Sequence, residues 1–283
     1  MKILITGAVG KLGRAIADHL HEAGYEVIGA DQSFTKDVKW KLIVANVLQR
    51  EAVYGLLQGV DAVVHLANYP NANYGSPQQV YSDNVAMDMN VFQAAVECGV
   101  KRVIFSSSIQ VTSSSWPVAP GFQTEPPPFL PVDHTLPCRP ANPYALSKQA
   151  GEDMLRYFVG LGLHSGIALR FPFVHSHHHL RIGGYLKRIW TDNRNEFHAF
   201  LDIRDTGPLI EKLLTAELPG YHVFFPTASV LGRGADAEEV RQEFFPDVPL
   251  RGVTPPLTHL VDCSELERLT GWKPQYGWED FGT

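Results

Sequence analysis

Apolar residues arrive in short bursts along the first half of the chain: "KILIT" (2–6), "YEVIGAD" (25–31), "KLIVANV" (41–47), "VDAVVHLA" (60–67) and "KRVIFSSS" (101–108). Each burst is short, rich in β-branched residues and bounded by turn formers, the pattern of a buried strand. Between them the spacing becomes helical. "LGRAIADHLHEAG" ends at Gly24, "REAVYGLLQG" spans 50–59, and a longer segment runs from Pro77 to about Cys98. Asn142 and Pro143 open a further helix to about Gly160, as cap and first-turn residue. "HSGIALRFP" (164–172) then reads as a sixth strand. Strands alternating with helices predict an α/β fold with a doubly wound parallel sheet and helices on both faces. Beyond 172 the pattern weakens. The expected organisation is a sheet domain over 1–172 and a smaller, mostly substrate-binding lobe over 173–283. "GYHVFFPT" (220–227) is expected to return a strand to the main sheet. Residues 113–143 are proline-rich and aperiodic, which suits a long ordered loop over a site or a linker.

The turn after the first strand carries the first chemistry. "TGAVGKLG" places Gly7, Gly10 and Gly13 between a strand and a helix. Such a loop brings backbone N–H groups close to a pyrophosphate, and the helix N-terminus favours its charge. The spacing is G-x-x-G-x-x-G, and a tight strand–helix turn is the alternative use of these glycines. Its place at the first junction of a doubly wound sheet points to a Rossmann dinucleotide site. Asp31 closes the second strand, where a carboxylate accepts from ribose hydroxyls and repels a 2′-phosphate. That selects NAD over NADP. Arg14, Lys36 and Lys39 lie near enough in sequence to favour the opposite choice.

Composition narrows the class. The 283 residues carry 24 Lys plus Arg against 30 Asp plus Glu, a net charge of -6. This is the balance of a globular protein without the basic surface of a nucleic-acid binder. The three cysteines, Cys98, Cys138 and Cys263, are widely spaced and form neither a disulfide framework nor a ligand pattern. With no apolar leader or spanning run read in the sequence, a cytoplasmic protein without membrane contact is expected.

"NPYALSKQAGEDML" (142–155) places Tyr144 and Lys148 four apart, hence on one helix face. Alone the spacing says little. Together with the loop and the fold, the chain resembles the extended short-chain dehydrogenase/reductase family of NAD-dependent sugar epimerases, dehydratases and dehydrogenases. The resemblance rests on "TGAVGKLG", "VVHLAN", "NVAMDMNVFQAAVECGVKRVIFSSS", "YALSK", "LRFP", "FLDIRDTG" and "DCSELERLTGWKPQYGWED". It implies a catalytic trio of Ser108, Tyr144 and Lys148. Tyrosine is a weak base near neutral pH, so a nearby ammonium and the nicotinamide charge must stabilise its phenolate. Ser106 and Ser107 compete with Ser108 for the serine role. The resemblance further implies a cofactor cleft of Gly7, Val9, Gly10, Lys11, Leu12, Gly13, Asp31, Asn46, Val47, Leu66, Ala67, Asn84, Ser106, Tyr144, Lys148 and Phe171.

Departures from the family pattern bear on the reaction. Thr112 stands where many epimerases carry a tyrosine. Ile109 and Gln110 stand where dehydratases place an Asp–Glu pair, so an elimination lacks its acid and base. In size and in "SSIQVT" the chain is similar to uronate dehydrogenases. That comparison makes Ser108, Gln110, Tyr144 and Arg181 the substrate residues, with Arg181 a fork for an anionic group. The expected function is NAD-dependent oxidation of a hydroxyl on a sugar or sugar derivative. The alternatives are a nucleotide-sugar 4-epimerase with recycled NAD, a reductase of a non-sugar carbonyl, and an NAD(P)-sensing binding protein. "HSHHH" (175–179) lacks a matched ligand set, and no metal is expected. A homodimer through helices 78–98 and 143–160 is expected, with Val91, Phe92, Ala95, Leu155, Phe158 and Val159 as its apolar surface.

Overall fold

The computed structural model describes residues 1–112, 125–175, 196–229, 231 and 235–277. The strands are β1 (Lys2–Thr6), β2 (Glu26–Asp31), β3 (Lys41–Val44), β4 (Ala62–His65), β5 (Arg102–Ser108), β6 (Ser165–Phe171), β7 (Phe173–His175), β8 (Phe200–Asp202) and β9 (Gly220–Phe224). The helices are α1 (Lys11–Glu22), α2 (Arg50–Leu56), α3 (Pro77–Glu97), α4 (Pro143–Gly160), α5 (Thr206–Thr215), α6 (Ala237–Phe244) and α7 (Ser264–Thr270). Seven strands form one sheet in the order β3-β2-β1-β4-β5-β6-β9. Every pairing in it is parallel. β7 and β8 make a separate parallel pair. The chain reverses direction across the sheet between β1 and β4. In open α/β sheets the crevice at the carboxyl ends of such strands is where ligands bind.

Two cores flank the sheet. One packs Ile16, Ala17 and Leu20 of α1 and Leu209, Ile210 and Leu213 of α5 against Ile3, Ile5 and Ile167. The other packs Val53 of α2, Val91 and Phe92 of α3, and Leu155 and Phe158 of α4 against Leu4, Val63 and Val103. The apolar residues assigned to a dimer surface are corrected by this second core. Val91, Phe92, Ala95 and Leu155 are fully buried within the monomer, and Phe158 nearly so. A helix wedged between a sheet and a neighbouring helix is apolar over most of its girth, and periodicity does not separate the two partners. The apolar side chains left outside on these helices are Met89, Leu146 and Tyr157.

A third core lies under the smaller lobe. Leu130, Val132 and Leu136 pack there with Phe197, Val240, Phe245, Leu257, Leu260 and Val261. Backbone bridges tie Leu130 to Leu250 and Val132 to Val261. The second half of the proline-rich stretch is thus an ordered strap shared with the lobe. Trp116 and Phe122, aromatic residues of the same stretch, lie outside the described residues. Phe129 lies inside them, under the Arg251 guanidinium at 3.4 Å from its ring centroid.

Candidate active site

The glycine loop is shaped by close approach. Gly7 has φ +70, and a Cβ there would lie 2.9 Å from the Leu66 carbonyl carbon. A Cβ on Gly13 would fall 2.2 Å from the Gly7 oxygen, so only glycine lets α1 start against β1. The helix opens at Gly10 with no side-chain cap. Its positive dipole end is therefore turned toward an outside anion. Leu66 and Ala67 cross beside Gly7, and both donate their N–H to Thr6 Oγ1 at 3.2 Å. Leu12 is partly exposed and Lys11 exposed at the start of the helix.

Asp31 stands at the end of β2, next to this loop. Its carboxylate accepts from Val9 N at 3.0 Å and from Ser33 N at 2.9 Å. It braces the glycine loop and presents negative charge at the carboxyl end of β2. Arg14 is already committed. Its Nε donates to Asp18 Oδ2 at 2.8 Å, and its guanidinium also donates to the Asp37 carbonyl. Lys36 and Lys39 are exposed. Asp31→Ala is expected to raise the Kd for NAD about tenfold or more while leaving the weaker NADP binding little changed. Calorimetry with both cofactors measures this, and a wild-type preference for NADP would reverse the reading.

β5 deals out three serines with a period of two. Ser106 offers its carbonyl to Lys148 Nζ at 2.7 Å. Ser107, 1% exposed, turns the other way and donates to Glu152 Oε1 at 2.6 Å. Ser108 is hydrogen-bonded to Tyr144 and also accepts from Gln110 N at 3.2 Å. Among the three, only Ser108 brings its hydroxyl to the tyrosine. α4 supplies the other two groups. Asn142 Oδ1 caps its first turn through Ala145 N at 2.8 Å, which fixes Tyr144 and Lys148 at the mouth of the cleft. Lys148 Nζ stands 5.7 Å from the Tyr144 ring centroid. Burial pushes Tyr144 up to about 12, the Ser108 bond pulls it down, and the charges of Glu196 and Asp88 raise it further. The tyrosine therefore rests as a phenol, and Lys148 at this distance does not overcome burial. Burial pulls Lys148 down to about 8, against the charge of Asp88.

The other sequence-derived positions fall into three groups. Asn46 Oδ1 accepts from Leu48 N and Gln32 Nε2 beside Asp31, and Phe171 ends β6 opposite Ser108. Gln110 Oε1 accepts from Asn142 Nδ2 at 3.2 Å, next to Ser108. Val47 and Asn84 are scaffold rather than lining. Val47 is a core residue whose carbonyl accepts from Asn90. Asn84 is fully buried and ties the Tyr69 backbone to Ser147 of α4. Arg181, Lys187, Arg188 and Arg194 lie outside the described residues, as do four of the five residues of "HSHHH". Among the described residues no group of three or more His, Cys, Asp or Glu is placed to hold a metal. No helix among them is long and apolar enough to cross a membrane.

Two buried polar groups behind the site escaped sequence reading. Thr6, His65, Asp88 and Asn68 connect the end of β1 to Lys148. Glu152 pairs with Arg170, whose Nε and guanidinium donate to its two oxygens at 2.9 Å. Each group joins residues far apart in sequence, and no local spacing announces such a meeting.

Comparison with known proteins bears on the family and the fold. The sequence model of the NAD dependent epimerase/dehydratase family matches residues 3–203. An NAD-dependent glucose-6-phosphate dehydrogenase of Haloferax volcanii is 29% identical over 214 residues, 70% of this chain and 78% of that protein. A uronate dehydrogenase of Pseudomonas syringae is 27% identical over 229 residues, 79% of this chain and 73% of its own. A UDP-glucose 4-epimerase of Streptomyces lividans is 27% identical over 170 residues, 54% of this chain and 46% of its own. Among solved structures, a short-chain dehydrogenase/reductase superfamily protein of Agrobacterium tumefaciens with bound NAD superposes with a TM-score of 0.75 at 21% identity. The match covers 99% of this chain and 94% of that one, and it speaks to the fold.

Proposed function

The chain belongs to the NAD dependent epimerase/dehydratase family, and within it we propose an NAD-dependent dehydrogenase that oxidises a hydroxyl of a small sugar or sugar acid through Ser108, Tyr144 and Lys148. The enzyme class and the use of NAD follow from the family. The catalytic trio is carried by one observation: Ser108, alone among three consecutive serines, meets Tyr144 at the carboxyl end of β5, with Lys148 one turn along α4. Bound NAD+ supplies the hydride acceptor and a fixed positive charge. Gly7, Val9, Gly10 and Gly13 would hold its pyrophosphate and Asp31 its ribose. Tyr144, once the cofactor's positive charge favours the phenolate and its own proton has gone to solvent, would take the proton of the reacting hydroxyl as the carbonyl forms. Ser108 holds the same oxygen. Lys148, with Ser106 and Asn68 occupying two of its N–H groups, keeps the third for the cleft.

One feature favours a small substrate over a nucleotide sugar, and a second speaks against an elimination. Two dehydrogenase relatives, from H. volcanii and P. syringae, match over 70% and 79% of the chain, whereas a uronate dehydrogenase of P. putida matches over 56% and the S. lividans epimerase over 54%. Ile109 and Gln110 also leave the reaction without the extra acid and base of an elimination. The reading includes a homodimer across α3 and α4, for which Met89, Leu146 and Tyr157 supply exposed apolar side chains; light scattering measures it directly. The deciding experiment presents hexuronates, glucose 6-phosphate, free hexoses and UDP-sugars with NAD+ and follows NADH. Stoichiometric NADH with an acidic or phosphorylated sugar is the expected result. Interconversion of UDP-sugars without net NADH would replace the dehydrogenase by an epimerase, and NAD binding with no turnover of any class would favour a sensor.

A further inference from the structure

Asp88 is the least explained charge in the molecule. It sits in the middle of α3 with no exposed surface. Its Oδ1 accepts from His65 Nε2 and from Asn68 Nδ2, both at 3.0 Å. Its Oδ2 has no hydrogen-bond partner. That atom is pressed against α4, 2.6 Å from where a Cβ on Gly151 would stand. A buried carboxylate half satisfied in this way is costly, and a fold retains it only where its charge is used.

The direction of each hydrogen bond can be worked out by counting. Thr6 Oγ1 accepts from Ala67 N and from Leu66 N, the latter shared with the Thr6 carbonyl. With these two donors on its oxygen, its one proton is directed to His65 Nδ1, 2.7 Å away. His65 therefore carries its proton on Nε2 and donates it to Asp88. Asn68 spends its amide N–H on Asp88, which turns its carbonyl oxygen to Lys148 Nζ. Two chains of donors, one from β1 and one from Lys148, end on the same carboxylate oxygen.

We propose that Asp88 is a positioning residue for Lys148: its buried carboxylate, acting through Asn68, holds the Lys148 ammonium in its charged form and aims it into the cleft. Other groups around Lys148 do not supply this. From β5 it meets the Ser106 carbonyl and the Phe105 ring, 4.9 Å from Nζ to its centroid. On its own helix, Tyr144 rests as a phenol, and Glu152 is turned to Arg170. Glu196 of the lobe acts on Tyr144. His65 of β4 lies behind Asp88. Asp88 is the charge that opposes the burial of Lys148. The importance of this to catalysis rests on the function proposed above, but the charge state of Lys148 can be read without substrate or cofactor.

The test uses the full chain labelled with 13C-lysine. The Cε signal of Lys148, assigned by its loss in Lys148→Met, is titrated by NMR. The wild-type midpoint is expected near about 8. Asp88→Asn, which keeps the shape and removes the charge, should lower it by about one pH unit or more. Asp88→Ser should do the same without a buried amide. A merely structural role would lower the melting temperature and leave the midpoint in place, and an unmoved midpoint in either folded variant overturns the proposal. Failure of both variants to fold would make Asp88 a folding residue and overturn it too. A shifted midpoint in a protein whose NADH binding and turnover survive Lys148→Met would uphold the inference and sink the proposed role of Lys148 instead.

Discussion

Tyr144→Phe is expected to lower turnover on the true sugar substrate by about 10²–10⁴-fold, the usual contribution of a positioned acid or base, while the protein still folds and binds NADH. The ring is 8% exposed and packs at the start of α4, so phenylalanine keeps the shape. What goes is the hydroxyl that Ser108 holds. The resting phenol is pushed up to about 12 by burial, so the enzyme without cofactor has almost no phenolate near neutral pH. A positive nicotinamide close to the ring changes that balance, because an opposite charge within a few ångströms favours the ionised form. Stopped-flow measurement of NADH formation separates the chemical step from binding. Near-wild-type rates in the variant would remove Tyr144 from the reaction.

Glu152→Ala is expected to cost about 3–5 kcal/mol of stability, since it strands a buried guanidinium. Arg170 is 4% exposed. Beyond Glu152 it retains the Leu136 carbonyl at 3.0 Å and the Cys138 sulfur at 3.1 Å, neither of which carries its counter-charge. The thiol does not help by ionising, because burial pushes it up to about 11. Urea unfolding reads the loss. Replacing both partners, with Glu152→Leu and Arg170→Met together, should recover most of it, because the cost lies in the unpaired charge. The double variant also frees the Ser107 hydroxyl, so a selective loss of turnover in it would show that β5 needs this anchor to hold Ser108 in place.

The parts of the molecule built from near neighbours were legible in the sequence. Gly7, Gly10 and Gly13 mark the tight turn from β1 into α1, and Asn142 and Pro143 mark the start of α4. The four-residue spacing of Tyr144 and Lys148 is a property of one helix. Strand ends were less legible: the third strand stops at Val44, three residues short of the apolar run, where Ala45 N makes the last ladder bond to the Asp31 carbonyl at 2.9 Å and Asn46 opens a turn, its carbonyl accepting from Gln49 N at 2.9 Å. Groups assembled across elements were not legible. Thr6, His65, Asn68 and Asp88 come from β1, β4, the loop after it and α3, and each alone reads as an ordinary polar residue. The apolar positions of α3 and α4 were visible as apolar, but their partner was the sheet and each other rather than a second subunit.

The glycine opposite Asp88 constrains how this sequence can drift. A methyl group at position 151 would stand 2.5 Å from the Phe105 ring and 2.6 Å from the Asp88 carboxylate. Neither neighbour has room to retreat, since both are fully buried. Positions 88 and 151 therefore form a linked pair of alleles. Alanine at 151 becomes tolerable only after the acid at 88 and the ring at 105 have both been exchanged for something smaller, and an acid can arise at 88 only on a background that already carries glycine at 151. Lineages related to this chain should hold acid with glycine or a small neutral residue with alanine, with the crossed combination of acid and alanine missing.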